Sequence, residues 1–400
     1  MLCSAGLFAV FSSTISKSPV LPLFASHLGA DPAGVGTVAA VSAFTGVVAS
    51  VPAGMLSDRV GRKRMLIISA IIFSSAPFLY QFASTLWHLA VIRFYHGFAT
   101  AIFVPVAMAL VSDLFHGERG EKMGWFSTST LLGRFMAPII GGVIIGSLAF
   151  NPGLGYRVVY LVCGVAGIIA FFLTLKLPDP GNDHGKDQSW RETFTILRGV
   201  MSNRVIVLTS AVEASILFAY GTFETFLPLY AVRNGISAYE VGLFLSSQVI
   251  TLALTQPVMG RFSDRHGRRP QIVAGAFVGA CCIGSFSLFT SFIPLLALSV
   301  LFGLSLSVVT SATSAFIADQ SGRESHGSAM GMLGSIMDIG HTMGPFVSGI
   351  VAGHLGFGAS FLGASLILVI VSLIFLITIG LKDNKEPPPQ ARELSGERHS

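Results

Sequence analysis

Charge is what this 400-residue chain has least of. Only 11% of its residues are Asp, Glu, Lys or Arg, against about 25% for a water-facing globule, which excludes a soluble domain of this length. Cysteine is scarce too. Cys3, Cys163, Cys281 and Cys282 all lie inside apolar stretches, so they read as small buried hydrophobes and exclude a disulfide framework or a cysteine metal set. Catalytic signatures are missing, with no His-Glu-x-x-His and no Gly-x-Ser-x-Gly. Gly34-x-Gly36-x-x-Ala39 opens an apolar helix with no strand before it, and Gly181 to Lys186 is one residue short of a phosphate loop and runs into Asp187, where Ser or Thr is required. An enzyme is therefore not expected, and neither is a cofactor or a metal. The first stretch lacks a basic n-region and carries the polar run Ser12, Ser13, Thr14, Ser16, Lys17, Ser18, unlike a cleavable signal peptide. Hydrophobic sequence begins almost at Met1, which points either to a start further upstream or to a missing short leader.

What the chain does have is apolar length. Its mean hydropathy is +0.72, and apolar stretches of about 20 residues, the number that crosses about 30 Å of hydrocarbon, recur from end to end. There are about twelve. Helices are implied, because a lipid-facing backbone must satisfy its own hydrogen bonds and the alternation of a membrane barrel is absent. The net charge of +5 and pI near 9.1 do not signal nucleic acid, because the basic residues sort by side. Outside the apolar stretches every Lys and Arg falls in an even-numbered connection or the tail, except Arg157 and Arg233. By the positive-inside rule both termini face the cytoplasm, and a multi-pass protein of the inner membrane is expected.

The long polar interruption falls near the middle. Pro178, Pro180, Gly181, Asn182 and Gly185 break the apolar pattern, and an amphipathic piece follows from Ser189 to Met201, either a short surface helix or a partly ordered linker. This gives a first unit over 1–177, a linker over 178–203, a second unit over 204–381 and a disordered tail over 382–400. The halves repeat. Gly54-Met55-Leu56-Ser57-Asp58-Arg59-Val60-Gly61-Arg62-Lys63 returns 206 residues later as Gly260-Arg261-Phe262-Ser263-Asp264-Arg265-His266-Gly267-Arg268-Arg269. The same shift carries Pro22 onto Pro228, Gly36 onto Gly242 and Asp113 onto Asp319, and one residue more carries Gly133, Pro138 and Gly142 onto Gly340, Pro345 and Gly349. Halves that match after six crossings are parallel repeats about an axis along the membrane normal, an arrangement with its substrate site between them at mid-membrane.

The loop Gly54-x-Leu56-x-Asp58-Arg59-x-Gly61-Arg62-Lys63 resembles the signature between helices 2 and 3 of the major facilitator superfamily, and its copy stands where that family keeps it. The resemblance implies an all-α membrane fold of twelve helices in two six-helix bundles. It also implies a cytoplasmic latch that stabilises the outward-open state, formed by Gly54, Asp58, Arg59, Gly61 and Arg62 with Asp113, and by Gly260, Asp264, Arg265, Gly267 and Arg268. Physically, Gly54 allows close helix contact and Gly61 a tight turn, while Asp58 can pair with nearby arginines. Arg93-Phe94-Tyr95-His96-Gly97 is similar to the family's second motif, with His96 in place of the usual glutamine; it supports either proton coupling or a structural hydrogen-bond hub. Gly133-Arg134-Phe135-Met136-Ala137-Pro138-Ile139-Ile140-Gly141-Gly142 resembles the family's antiporter motif with Ala137 for glycine, and Gly340-His341-Thr342-Met343-Gly344-Pro345 is its copy. Small residues and proline mark Gly133, Pro138, Gly141, Gly142, Gly344 and Pro345 as the hinge, where helices approach closely and bend.

The ionisable groups inside apolar stretches are costly there and so are site candidates. Lys17 and Glu224 are one position apart after the repeat shift and face each other across a central cavity in this reading. Arg93, His96, Arg134 and His341 complete the substrate-cavity set, with Arg134 suggesting an anionic substrate or a local ion pair. For proton coupling, a buried carboxylate is suited because burial and a neighbouring cation move its proton affinity in opposite directions. Glu213, nearest mid-membrane, is placed first, then Asp338 and Glu224; the alternative for each is a static ion pair with Arg93, Arg134 or Lys17. The resulting expectation is a monomeric alternating-access transporter exporting small apolar or amphipathic compounds in exchange for protons. A proton symporter for a sugar or organic anion, or an exporter of a lipid or siderophore-type metabolite, are the alternatives.

Overall fold

A computed structural model describes residues 1–115, 117–179, 202–321 and 326–380. Among them every regular element is helical. α1 comes in two pieces, Leu2–Ile15 and Val20–His27. There follow α2 (Pro32–Val60), α3 (Arg62–Leu79), α4 (Leu86–Leu114), α5 (Arg119–Ser147), α6 (Pro152–Leu175), α7 (Arg204–Arg233), α8 (Ala238–His266), α9 (Arg268–Ser285) and α10 (Phe292–Gln320). The last helical run, His326–Ile379, is 54 residues long and breaks at Gly356, whose φ of 85° is a conformation that glycine adopts without a Cβ penalty. It therefore supplies two crossings, α11 (326–355) and α12 (357–379), which brings the total to twelve. The expected amphipathic piece at 189–201 and the tail from 382 lie outside the described residues.

Helix starts are written in the connecting loops. Asp31 accepts from the Gly34 amide with Pro32 behind it, Asn151 caps α6 before Pro152, and Asn203 accepts from the Val205 and Ile206 amides. At α8 the Ser237 hydroxyl accepts from the Glu240 amide while the Glu240 carboxylate accepts from the Ser237 amide, a reciprocal cap. Prolines sit well inside α2, α3, α4, α5, α7 and α8, tolerated because neighbouring helices re-satisfy the freed carbonyls.

Helices α1 to α6 build one bundle and α7 to α12 the other, each with its own buried core: Phe73, Phe103, Tyr80 and Tyr160 in the first, Phe223, Phe286, Phe302 and Phe361 in the second. Two helix pairs join the bundles, α2 with α11 and α5 with α8. At the end of the molecule away from the arginine-rich loops these pairs touch backbone to backbone. A Cβ on Gly36 would collide with the Pro345 carbonyl, and one on Gly242 with the Pro138 carbonyl. Gly349 and Gly142 flank the same two crossings, which are images of each other under the sequence repeat. Ser246 adds a hydroxyl bond to the Phe135 carbonyl at 2.8 Å across the α5–α8 seam. Toward the arginine-rich end the helices part, and a Cβ at Gly46, Gly124, Gly260 or Gly334 would meet nothing within 4 Å.

Candidate functional site

Between the bundles lies a cavity of about 320 Å³. α1 contributes Lys17 from the interruption at 16–19, where the helix ladder gives way and lets the side chain leave the bundle toward its neighbour. α7 contributes Glu224 and α11 His341. The three converge: Lys17 Nζ lies 2.7 Å and His341 Nε2 3.3 Å from Glu224 Oε2, and Lys17 Nζ is 3.2 Å from His341 Nε2. Tyr220, one turn before Glu224, stacks on the His341 ring at 5.4 Å between centroids. Glu224 is only 7% exposed, so this ion pair between the bundles is partly shielded from water and less screened by salt than a surface pair. Arg134 on α5 and Asp338 on α11 line the same space.

Other expected site residues lie elsewhere. Arg93 and His96 do not line the cavity. Both are 2% exposed and point into the first bundle, where the His96 ring packs edge-on against Phe73 and Tyr80, and Tyr80 in turn stacks on Tyr160. Nearer the N-terminal end of α4 than the cavity-lining Thr100, the two side chains lie against Phe73 and Tyr80 inside the first bundle. Glu213 is likewise buried, at 0% exposure, inside the second bundle. The Thr313 hydroxyl of α10 donates to its Oε2 at 2.6 Å, and Oε1 has no partner among the described residues. Eleven residues separate Glu213 from Glu224, but the acids do not share a chamber.

The arginine-rich end carries two matching clips. Arg62 at the start of α3 pairs with Asp58; its guanidinium also donates to the Ser57 hydroxyl and lies 3.0 Å from Asp113 at the end of α4. Arg268 does the same with Asp264 and Asp319 in the second bundle. The turns between are made by Gly61 and Gly267, at φ 101° and 92°, values that favour glycine. Each clip is closed within its own bundle, and Gly54 and Gly260 face open space, so the close helix contact expected at Gly54 is absent from this conformation. In the hinge motif the glycines divide. Gly142 meets the opposite bundle at Ala238, whereas Gly133 packs on the Leu7 carbonyl, Gly340 on Ala214 and Gly344 on Phe218, each within its own bundle.

The sequence reading missed Ser13, Thr14, Thr100, Tyr220 and Gln248, which also line the cavity. Polarity inside an apolar run was the available signal for Gln248, and the one-turn spacing from Glu224 for Tyr220.

The comparisons with known proteins agree with this geometry. An uncharacterized MFS-type transporter of Methanocaldococcus jannaschii, MJ1560, is 25% identical over 90% of this chain and 93% of its own length. Multidrug resistance protein 1 of Bacillus subtilis is 23% identical over 86% and 87%, and multidrug resistance protein MdtG of Escherichia coli 26% identical over 89% and 88%. In fold, a bacterial homolog of the human lysosomal transporter Spinster, crystallised inward-facing and occupied, superposes with a TM-score of 0.81 at 15% identity over 97% and 98% of the two chains. The nucleoside transporter NupG does so at 0.74, with 15% identity over 95% and 98%. The Major Facilitator Superfamily profile matches residues 2–246 and 231–399, and with twelve helices in two repeat-related bundles around a central cavity, the chain belongs to the major facilitator superfamily of membrane transporters.

Proposed function

We propose that the protein exports small apolar or amphipathic compounds in exchange for protons, working as a monomer in the cytoplasmic membrane with both termini inside. The observation that carries this reading is the triad at the cavity apex. Glu224 Oε2 holds Lys17 of the other bundle and His341 at once, so a proton delivered to that carboxylate removes the charge on which the cross-bundle contact depends. Loss of the contact frees the bundles to rock, and the same proton is then carried through the cycle. That is the requirement for coupling: one group whose protonation and whose conformational contacts exclude each other. Export is supported by the two relatives named for multidrug resistance, which match over nearly the whole chain, and by the Gly133 to Gly142 motif. The orientation rests on the arginines: with the basic loops inside, the closed end is external and this conformation is inward-open.

Reconstitution tests it directly. Liposomes carrying the protein and a trapped pH dye, challenged with a lipophilic substrate, should report proton movement opposite in direction to the substrate. Movement in the same direction makes the protein a symporter, and substrate flux with no proton movement removes the coupling altogether.

A further inference from the structure

Two charged side chains in the central cavity make no ion pair or side-chain hydrogen bond among the described residues, although Lys17 acts on Asp338 through space, and they come from opposite bundles. Arg134 on α5 is exposed to the cavity and makes no ion pair or hydrogen bond among those residues. Asp338 on α11 is half-buried; the Thr342 hydroxyl donates to its backbone carbonyl, and its carboxylate accepts nothing there. The two do not reach each other. The other charges are already engaged, since Lys17 and His341 both lie against Glu224. What the cavity offers a ligand is therefore one guanidinium from the first bundle and one carboxylate from the second, with Leu217 and Tyr220 as accessible apolar lining.

We propose that the ligand recognised here is a zwitterionic amphipath, its anionic group on Arg134, its cationic group on Asp338 and its apolar or aromatic body against Leu217 and Tyr220. The inference rests on the export reading only in using the same cavity. A guanidinium offers a planar fork that fits a carboxylate or phosphate, and a carboxylate accepts from an ammonium. A ligand of one sign satisfies one wall and leaves the other charge uncompensated in a water-poor space, which penalises it. A zwitterion satisfies both. Because Arg134 belongs to the first bundle and Asp338 to the second, it also ties the bundles across the cleft, so it binds the closed cleft better than the open one and biases the equilibrium toward closure.

The test uses the purified full-length protein and two probe frames, Nε-dansyl-lysine and phenylalanyl-phenylalanine. They place the charges on one carbon and across a peptide unit, respectively. Each is supplied as the free zwitterion, as the methyl ester, which is cationic, and as the Nα-acetyl form, which is anionic. For at least one frame the zwitterion is expected to bind about ten-fold more tightly than both of its relatives. Arg134→Gln should bring the zwitterion down to the affinity of the ester, and Asp338→Asn to that of the acetyl form, while Arg134→Lys and Asp338→Glu restore the preference. Equal affinity for all three forms in both frames, no binding by any probe, or an equal loss for all three forms in the variants overturns the proposal. Loss of proton-coupled flux with an intact zwitterion preference would sink the export reading and leave this one standing.

Discussion

At the scale of the residue, the proposed coupling rests on one carboxylate oxygen. Lys17 and His341 converge on Glu224 Oε2, so Glu224→Gln is expected to abolish transport driven by an imposed pH gradient while substrate exchange between equal pools continues. Glu213→Gln separates the two acids. Its carboxylate lies outside the cavity and is held by Thr313, and the variant should keep gradient-driven transport. The reverse pattern, measured in the same liposomes, would move the coupling role to Glu213. The cation side is tested through stability. Removing one partner of a buried ion pair costs about 3–5 kcal/mol because the other is left bare, whereas replacing both by apolar groups is close to neutral. Lys17→Met should therefore lower the unfolding midpoint, and Lys17→Met with Glu224→Met should recover most of it. The pairing itself is legible in the sequence, because the repeat puts Lys17 and Glu224 at neighbouring positions. The removal of Arg93 and His96 from the cavity is not. A helix apolar on every side gives no sign of which face a lone polar residue takes, and both residues serve the aromatic core around Tyr80.

At the scale of the element, glycine does two jobs that look alike in sequence. Gly242 lets α8 lie on the Pro138 carbonyl of the opposite bundle, while Gly340 lets α11 lie on the Ala214 carbonyl of its own. In the proposed cycle the first contact opens and closes, whereas the second lies within one bundle. Gly242→Val should keep the end away from the arginine-rich loops from sealing and leave overall stability nearly unchanged. A cysteine placed at Ser246 in a cysteine-free background should then react with a membrane-impermeant thiol reagent added outside, and an unreactive cysteine would show that the seam still closes. Gly340→Val should instead overpack the bundle, costing about 1–3 kcal/mol and lowering the unfolding midpoint with little change in thiol access. Sequence reveals that small residues recur at these spacings, and the repeat supplies the register of both crossings. Which neighbour each glycine meets is a tertiary fact. The interruption of α1 at 16–19 is hidden for a related reason: Pro19 and Pro22 mark a disturbance, but prolines inside α2, α4, α5 and α7 leave those helices continuous.

At the scale of the whole molecule, the two ends carry unlike devices. The end away from the arginine-rich loops, external in the proposed orientation, seals by backbone contact between α2 and α11 and between α5 and α8, which is independent of charge. The arginine-rich end carries the clips of Arg62 and Arg268, whose ion pairs with Asp58 and Asp113 and with Asp264 and Asp319 lie within one bundle each while the cleft stands open. In the proposed alternating-access cycle, closing that end would bring Asp58 and Asp264, at the C-terminal ends of α2 and α8, toward the opposite bundle. In this proposal the arginine-rich end, once closed, is held by electrostatics where the opposite end is held by packing. Asp58→Asn should accordingly bias the protein toward the inward-open form and slow the cycle while substrate affinity changes little. Spin labels at Val48 on α2 and Leu254 on α8, both exposed positions beyond the seal, report it. Wild-type protein bound to substrate should show a short and a long distance population, and the variant mainly the long one. High salt should deplete the short population of the wild type in the same way, because a contact between partly exposed charges is screened within about 10 Å at 0.1 M, whereas the glycine seam at the other end has no charge to screen. An Asp58→Asn protein with an unchanged short population would mean that packing alone closes both ends.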